Sequence, residues 1–226
     1  MREPLRHTWE ILRKDVLIEL RAGTRTFALF SFVLTLLLLF SFAVGPDAPM
    51  LRAHAPAYLW MALLLASTLL LARSFQIEVE SGALDALVLA PLALPALFYG
   101  KALANAAQLI ALGLVALPAV IALYDVKLVE SPIWLGAVLV LGSAGLAAPG
   151  TLYAALTARI QGRQLLLPLL LFPLIVPCLL ASVKATALVL TGDPLEQLQS
   201  WVSLLVAFDL LFWSLCGALF PRVVEA

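Results

Sequence analysis

The sequence predicts an all-α, polytopic membrane protein with six transmembrane helices. Hydrophobic residues make up 63% of the 226 residues and charged residues only 12%, and the mean hydropathy is +1.05. Apolar runs of about 20 residues, the length that spans the hydrocarbon core of a bilayer, recur along the whole chain. These runs lack the polar and apolar alternation of barrel strands, so helices must satisfy their backbone hydrogen bonds in lipid.

The six predicted spans are continuous stretches rich in leucine, alanine and valine. They cover residues 27–44, 55–72, 102–124, 133–157, 165–190 and 201–220. The connections between them are short and carry the proline, glycine and aspartate residues that favour turns. The whole chain, residues 1–226, is therefore predicted to form a single transmembrane domain.

A further helix is predicted before the first span, over residues 3–22. Its apolar side chains recur at helical spacing along one narrow stripe, and charged side chains occupy the opposite face. The stripe consists of Leu5, Trp9, Leu12, Val16 and Leu20. This pattern is typical of a helix that lies flat on a membrane surface. A helix packed against the bundle would show the same pattern, and the two arrangements are compatible.

The distribution of lysine and arginine predicts that both termini are cytoplasmic, because cytoplasmic connections carry an excess of these residues. With that orientation, eleven of the 14 basic residues fall on the cytoplasmic side. They are Arg2, Arg6, Arg13, Lys14, Arg21, Arg25, Arg73, Lys101, Arg159, Arg163 and Arg222. Only Arg52, Lys127 and Lys184 fall on the other side.

The sequence lacks the residue sets that are typical of enzyme active sites. It contains two histidines and two cysteines, none of them clustered, and it has no HExxH, GxSxG or P-loop pattern. We therefore expect no catalytic residue, no metal site and no firmly bound cofactor in this chain. The formal net charge of zero argues against nucleic acid as a partner.

Two polar residues near or within the spans are candidates for function. Asp209 lies in the middle of the last span, where an ionised carboxylate costs about 2.5–3.5 kcal/mol, so such residues usually face another helix or a wet cavity. A functional role for Asp209 and a purely structural one both remain open. His54 lies at the outer end of the second span. A lone histidine in such a position is more often an interfacial loop residue than a haem ligand.

The fifth span carries three prolines within ten residues, Pro168, Pro173 and Pro177. Each proline removes one helical hydrogen bond and clashes with the preceding turn. We expect this helix to be kinked or locally broken, at a point where the bundle could flex.

An acidic segment, EVESGALD, follows the second span and contains three carboxylates. Ser81 can cap a helix, and Asp85 would lie near the start of that helix, where the helix dipole favours negative charge. Pro91 and Pro95 limit the helix before the chain enters the membrane again. The pattern predicts a short amphipathic cytoplasmic helix over residues 78–90.

The arrangement E-x-x-x-G-x-L-D after the second of six spans resembles the coupling helix of ABC-2-type exporter permeases. More closely, residues 40–103 followed by LLLPLLLFPLIVP resemble the haem exporter B (CcmB) family, the permeases of the cytochrome c maturation system. The likeness runs from about Trp9 to the sixth span.

This resemblance implies a permease subunit of an ABC transporter complex in a bacterial cytoplasmic membrane, serving haem export or delivery in c-type cytochrome biogenesis. It implies two permeases with two cytoplasmic ATPase subunits, which would bind ATP and Mg²⁺. A haem-handling membrane protein, a periplasmic haem chaperone and membrane lipid would be the other partners, with haem as a candidate substrate. The residues that match the ATPase contact are Glu78, Glu80, Ser81, Gly82, Leu84 and Asp85.

The alternative is a non-transporting membrane scaffold whose ATPase-driven motion releases a haem-loaded periplasmic chaperone. Both functions would use the same coupling helix.

Overall fold

A computed structural model describes residues 2–21, 23–80, 82, 94–126, 131–158, 163–193 and 195–225. In this part of the chain all regular structure is helical. The helices are α1 (Arg2–Arg21), α2 (Gly23–Val44), α3 (Ala48–Leu71), α4 (Gln76–Glu80), α5 (Leu94–Tyr124), α6 (Pro132–Thr157), α7 (Arg163–Thr191) and α8 (Leu198–Glu225). Six of them, α2, α3 and α5–α8, are long and apolar enough to cross a membrane. The predicted fold class is confirmed.

Several spanning helices are longer than their apolar runs, because polar residues at the ends cap or extend a helix. Asp47 caps α3 by accepting a hydrogen bond from the backbone N–H of Met50 at 3.2 Å, so α3 begins before its apolar run. Ser131 caps α6 in the same way. Helix α5 begins at Leu94 and carries Lys101 in its second turn. Polar or charged side chains therefore lie near the starts of these three helices.

Helix α7 continues through its three prolines from Arg163 to Thr191. Of the two predicted alternatives, a kink or a local break, the structure shows no break, and a kink of the continuous helix stays a prediction. Each proline removes a single hydrogen bond, and in lipid no water competes for the remaining ones. Pro173 and Pro177 are exposed on the outside of the bundle, and Pro168 is half-buried.

Helix α6 forms the centre of the bundle and contacts α3, α5, α7 and α8. Small residues let its neighbours approach closely, as is usual for helices that pack within membranes. A Cβ atom added at Gly142 would collide with Trp60 of α3 and with Ser182 of α7. The indole N–H of Trp60 donates a hydrogen bond of 2.9 Å to Thr186 Oγ1 and so joins α3 to α7.

Helix α1 lies against α5 and α2. Its contact with α5 is close, because a Cβ added at Gly100 would lie 2.7 Å from Ile11 Cγ2. Leu5 and Trp9, in contrast, are 71% and 63% exposed. The predicted helix is confirmed, and one side of it packs on the bundle while Leu5 and Trp9 face outward. Its position at the membrane surface stays a prediction.

The segment after α3 forms the short helix α4, and Gly82 follows with a φ of +67°. This left-handed backbone ends α4, since an α-helix requires a negative φ. Of the predicted helix over residues 78–90, Ser81, Leu84 and Asp85 lie outside the described residues, as does the side chain of Glu80. That helix therefore stays a prediction beyond Gly82.

Candidate functional site

Four charged side chains meet where α1, α4 and α5 come together. Lys14 and Asp15 come from α1, Glu78 from α4 and Lys101 from α5, and we call them the charged cluster. The ammonium Nζ of Lys101 lies 2.9 Å from Glu78 Oε1 and 3.2 Å from Asp15 Oδ2. Nζ of Lys14 lies 3.0 Å from the same Glu78 oxygen and 3.2 Å from Asp15 Oδ1. Two cations and two anions therefore alternate around the site.

Lys101 is the most buried member, with only 2% of its surface exposed. Besides the two carboxylates, its ammonium donates a hydrogen bond of 2.7 Å to the backbone carbonyl of Ser74. An ammonium has three protons to donate, so these three acceptors use its full capacity. The ammonium also lies 4.8 Å from the centre of the Phe75 ring, within the range of a cation–π interaction.

The pKa values of Glu78 and Lys14 are shifted by their neighbours in the cluster. Burial alone would raise the pKa of the Glu78 carboxyl, but the ammonium groups of Lys101 and Lys14 outweigh burial and hold that pKa below its usual range. Burial alone would lower the pKa of Lys14, but Asp15 and Glu78 outweigh it and raise that pKa. Both shifts favour the charged forms of Glu78 and Lys14.

A chain of neutral hydrogen bonds continues from the cluster into the bundle. The amide Nδ2 of Asn105 on α5 donates to Ser74 Oγ at 3.0 Å and to Thr151 Oγ1 at 2.8 Å. Thr151 on α6 donates in turn to the carbonyl of Ala147 at 2.7 Å. Polar contacts thus connect α1 and α4, through the Ser74 turn and α5, to the central helix α6.

Sequence reasoning identified Glu78 but assigned it a different environment. Glu78 was predicted to contact an ATPase, whereas the structure buries it to 5% exposure among lysines of its own chain. A direct contact of Glu78 with a partner stays a prediction. Lys14, Asp15 and Lys101 were missed as site residues; the available signal was a lone lysine flanked by apolar residues at the start of a span.

Asp209 lies where α6, α7 and α8 meet. It is 9% exposed, and its Oδ1 makes no hydrogen bond within the described part of the chain. A Cβ added at Gly145 of α6 would lie 3.0 Å from that oxygen and 2.5 Å from Cys178 Sγ of α7. The thiol of Cys178 lies 3.8 Å from the carbonyl of Gly142. As expected from the sequence, Asp209 faces other helices, and its functional role stays a prediction.

His54 lies at the opposite end of α3 from Ser74, about 30 Å away by helix rise. Its exposed ring is 5.8 Å from the ring of Tyr58, which stacks on Phe40 at 4.7 Å. Nearby, Arg52 forms an ion pair with Asp125. Among the described residues, no three His, Cys, Asp or Glu side chains group as metal ligands. Haem ligation by His54 stays a prediction.

Comparison with known proteins identifies the family. The family model described as CcmB protein matches residues 6–223. This chain belongs to the CcmB protein family. The match spans nearly the whole chain, so it includes most of α1, the acidic segment after α3 and nearly all of the six spanning helices.

Named relatives support the same assignment. Heme exporter protein B of Bradyrhizobium diazoefficiens is 36% identical over 188 residues, which cover 80% of this CcmB-family chain and 82% of the relative. Heme exporter protein B of Rhodobacter capsulatus is 39% identical over 175 residues, 75% of this chain and 78% of the relative. The protein of that name from Paracoccus denitrificans is 35% identical over 192 residues, with coverage of 83% and 86%. Family membership and six apolar helices make this chain a multi-pass membrane protein.

Proposed function

We propose that this chain is the membrane permease subunit of an ABC transporter complex for haem export or delivery in c-type cytochrome biogenesis. Relatives with the name heme exporter protein B cover most of the chain, and six helices can cross a membrane. The sequence has no P-loop, so ATP and Mg²⁺ bind a separate cytoplasmic ATPase subunit and this chain is not itself an enzyme. Haem is a substrate and not a resident cofactor.

The charged cluster is the observation that carries the coupling part of the proposal. An ATPase that moves residues 78–90 would pull on Glu78, which is joined to Lys101 and Lys14 at 2.9 and 3.0 Å. Because the charges of Glu78 and Lys101 are buried, their contact resists separation. The Asn105 and Thr151 hydrogen bonds then carry the displacement to α6. In this way a short surface segment moves the centre of the bundle.

The orientation of the chain follows the positive-inside rule. The bundle end that holds the charged cluster also carries the basic residues of α1, Arg73 and Arg222, whereas Arg52 and Lys184 mark the other end. We therefore assign the cluster end and both termini to the cytoplasm, where an ATPase subunit resides. The membrane is the cytoplasmic membrane of a bacterium.

The partners in this proposal are the ATPase subunit, a second copy of the permease, a haem-handling membrane protein and a periplasmic haem chaperone. The alternative is a scaffold whose ATPase-driven motion releases the haem-loaded chaperone. The close packing of the helices within one chain supports this alternative, since α3, α7 and α8 leave no room for an added Cβ at Gly142 or Gly145 of α6. Substrate passage would need an interface with another subunit or a large opening.

Co-purification with the ATPase subunit tests the docking step. Glu80→Lys reverses the charge of the predicted contact, and we expect it to abolish recovery of the ATPase with a normally inserted permease. Glu196→Lys makes the same reversal at an exposed position at the other end of the bundle and should leave recovery unchanged. Normal recovery with Glu80→Lys would refute docking at this segment.

Reconstitution separates export from release. The purified complex in vesicles should accumulate haem when ATP is supplied, with no chaperone present. ATP-dependent release of loaded chaperone without haem accumulation would instead support the scaffold.

A further inference from the structure

Two cavities lie side by side between α1 and the bundle, on the membrane side of the charged cluster. They share four lining residues, Glu19, Leu29, Leu70 and Gln108. One cavity has polar walls near the turn after α3, and the other has apolar walls along α2 and α5. Together they form one continuous groove with a polar and an apolar end, which we call the α1 groove.

The polar end has a volume of about 60 Å³ and is lined by charged and amide side chains, among them Asp15, Arg73 and Asn105. This volume is several times the roughly 10–15 Å³ that one buried water needs, so a small polar group fits there. Within the described residues, the guanidinium of Arg73 and the amide of Gln108 have no protein hydrogen-bond or ion-pair partner. Arg73 is exposed, so it can contact a group that enters this end.

The apolar end lies one to two helical turns further along α5, next to Ala107, Ala111 and Leu112, with Phe30 of α2 opposite. Its volume is about 130 Å³, comparable with an engineered apolar cavity of about 150 Å³ that binds benzene. Ala107 and Ala111 are exposed, so this end opens toward the surrounding lipid. A segment of an acyl chain matches its size and polarity.

We propose that the α1 groove binds one membrane phospholipid with a zwitterionic headgroup, as in phosphatidylethanolamine. Its acyl chain enters the apolar end, its phosphate contacts Arg73, and its ammonium faces Glu19. This inference does not depend on the transport function, because it uses only the groove and the membrane environment.

The charges of the groove decide the headgroup class. Lys101 is already saturated by Glu78, Asp15 and the Ser74 carbonyl, so Arg73 is the cation available to a phosphate. A phosphate that binds the guanidinium of an arginine accepts strong, directional hydrogen bonds. Glu19 accepts a hydrogen bond from Thr26 at 3.4 Å and adds a negative charge to the wall shared by the two ends. A headgroup with both signs of charge complements this wall better than a net anion.

Blocking the apolar end tests the site. We would measure phosphatidylethanolamine retained by the purified full-length chain using native mass spectrometry. Wild-type protein should retain one molecule, and Ala107→Trp or Ala111→Trp should lower retention at least fivefold because the indole fills the cavity. Ala218→Trp makes the same change at an exposed position of α8 outside the groove and should retain the lipid. Equal retention by all four proteins would overturn the proposal.

A substitution of Arg73 tests the headgroup assignment without filling the cavity. Arg73→Gln should weaken phosphatidylethanolamine binding about tenfold and should leave the binding of diacylglycerol, which lacks the phosphate, unchanged. Wild-type protein should prefer phosphatidylethanolamine to phosphatidylglycerol. Preference for phosphatidylglycerol, or an unchanged affinity in Arg73→Gln, would overturn the assignment of the headgroup.

Discussion

The ammonium of Lys101 lies 2.9 Å from the Glu78 carboxylate, and both side chains are buried. This contact joins α5 to α4, and Asp15 and Lys14 extend it to α1. A buried ion pair is not in itself evidence of high stability, since its desolvation cost is large. Breaking it by removing one partner is costly, however, because the other charge is left buried. The pair therefore fixes the position of α4 more than it stabilises the bundle as a whole.

Lys101→Met should destabilise the protein by up to about 3–5 kcal/mol, the usual cost of removing one partner of a buried ion pair, and Lys14 still contacts both carboxylates and reduces that cost. The variant leaves Glu78 and Asp15 without their buried cation. Thermal unfolding in detergent would measure the loss, with Lys184→Met as a control at an exposed lysine. The double variant Glu78→Gln, Lys101→Met should recover part of the stability. Strictly additive effects would contradict a direct interaction.

The stability of the wild-type protein should fall as the pH decreases below the ordinary carboxyl pKa of 4.5. The folded-state pKa of Glu78 is lowered, so its contribution is present above 4.5 and is lost as pH falls through the folded value. Lys14 has a raised pKa, so its contribution is present below 10.5 and is lost as pH rises through the folded value. Glu78→Gln should show a smaller acid loss in a melting-temperature series. Parallel curves for the two proteins would contradict this assignment.

Gly145→Leu should destabilise the packing of α6 against α7 and α8 by about 1–3 kcal/mol, the usual cost of overpacking. Its Cβ alone would meet Cys178 and Asp209. Gly136→Leu on the same helix is the matched control, because an added Cβ there meets nothing within 4 Å. Melting temperatures in detergent would compare the two. Equal losses would indicate a general effect of leucine in α6 instead of a steric contact.

Gly82→Val should impair the function of the acidic segment, whereas Gly82→Asn should be tolerated. The space around Gly82 is open, so only its backbone conformation, with φ of +67°, restricts substitution. Asparagine adopts positive φ more readily than other residues, and β-branched valine resists it strongly. Recovery of the ATPase subunit with each variant measures the difference. Equal recovery would show that this turn is not needed for docking.

Hydropathy predicted the spanning helices well. Backbone N–H and C=O groups need hydrogen-bond partners in lipid, so a long apolar run that crosses the membrane forms a helix. The cap at Asp47 lies outside the apolar run, so hydropathy alone placed the start of α3 at residue 55, whereas the helix begins at Ala48. The three prolines of α7 predicted a kink or a local break; the helix continues through them without a break, and a kink stays a prediction.

The charged cluster could be predicted only in part. Glu78 belongs to a recognisable acidic motif, but Lys14, Asp15 and Lys101 lie up to 87 positions apart along the chain. These residues come together because α1 packs against α5 at Ile11 and Gly100. The periodicity of one helix does not show how that helix is aligned along a second helix. Likewise, the sequence placed Asp209 within a span but could not show that Gly145 and Cys178 face it.

Transmission of ATPase movement through the charged cluster is tested most directly by comparing ATP hydrolysis with holo-cytochrome c formation in membranes that carry Lys101→Met. Permease level and ATPase recovery are measured in the same samples, so loss of the protein is distinguished from loss of coupling. We expect a docked ATPase that hydrolyses ATP while holo-cytochrome c falls about tenfold or more, because each 1.4 kcal/mol of lost coupling is a factor of ten. A wild-type yield of holo-cytochrome c would contradict the claim that the charged cluster transmits ATPase movement to the bundle.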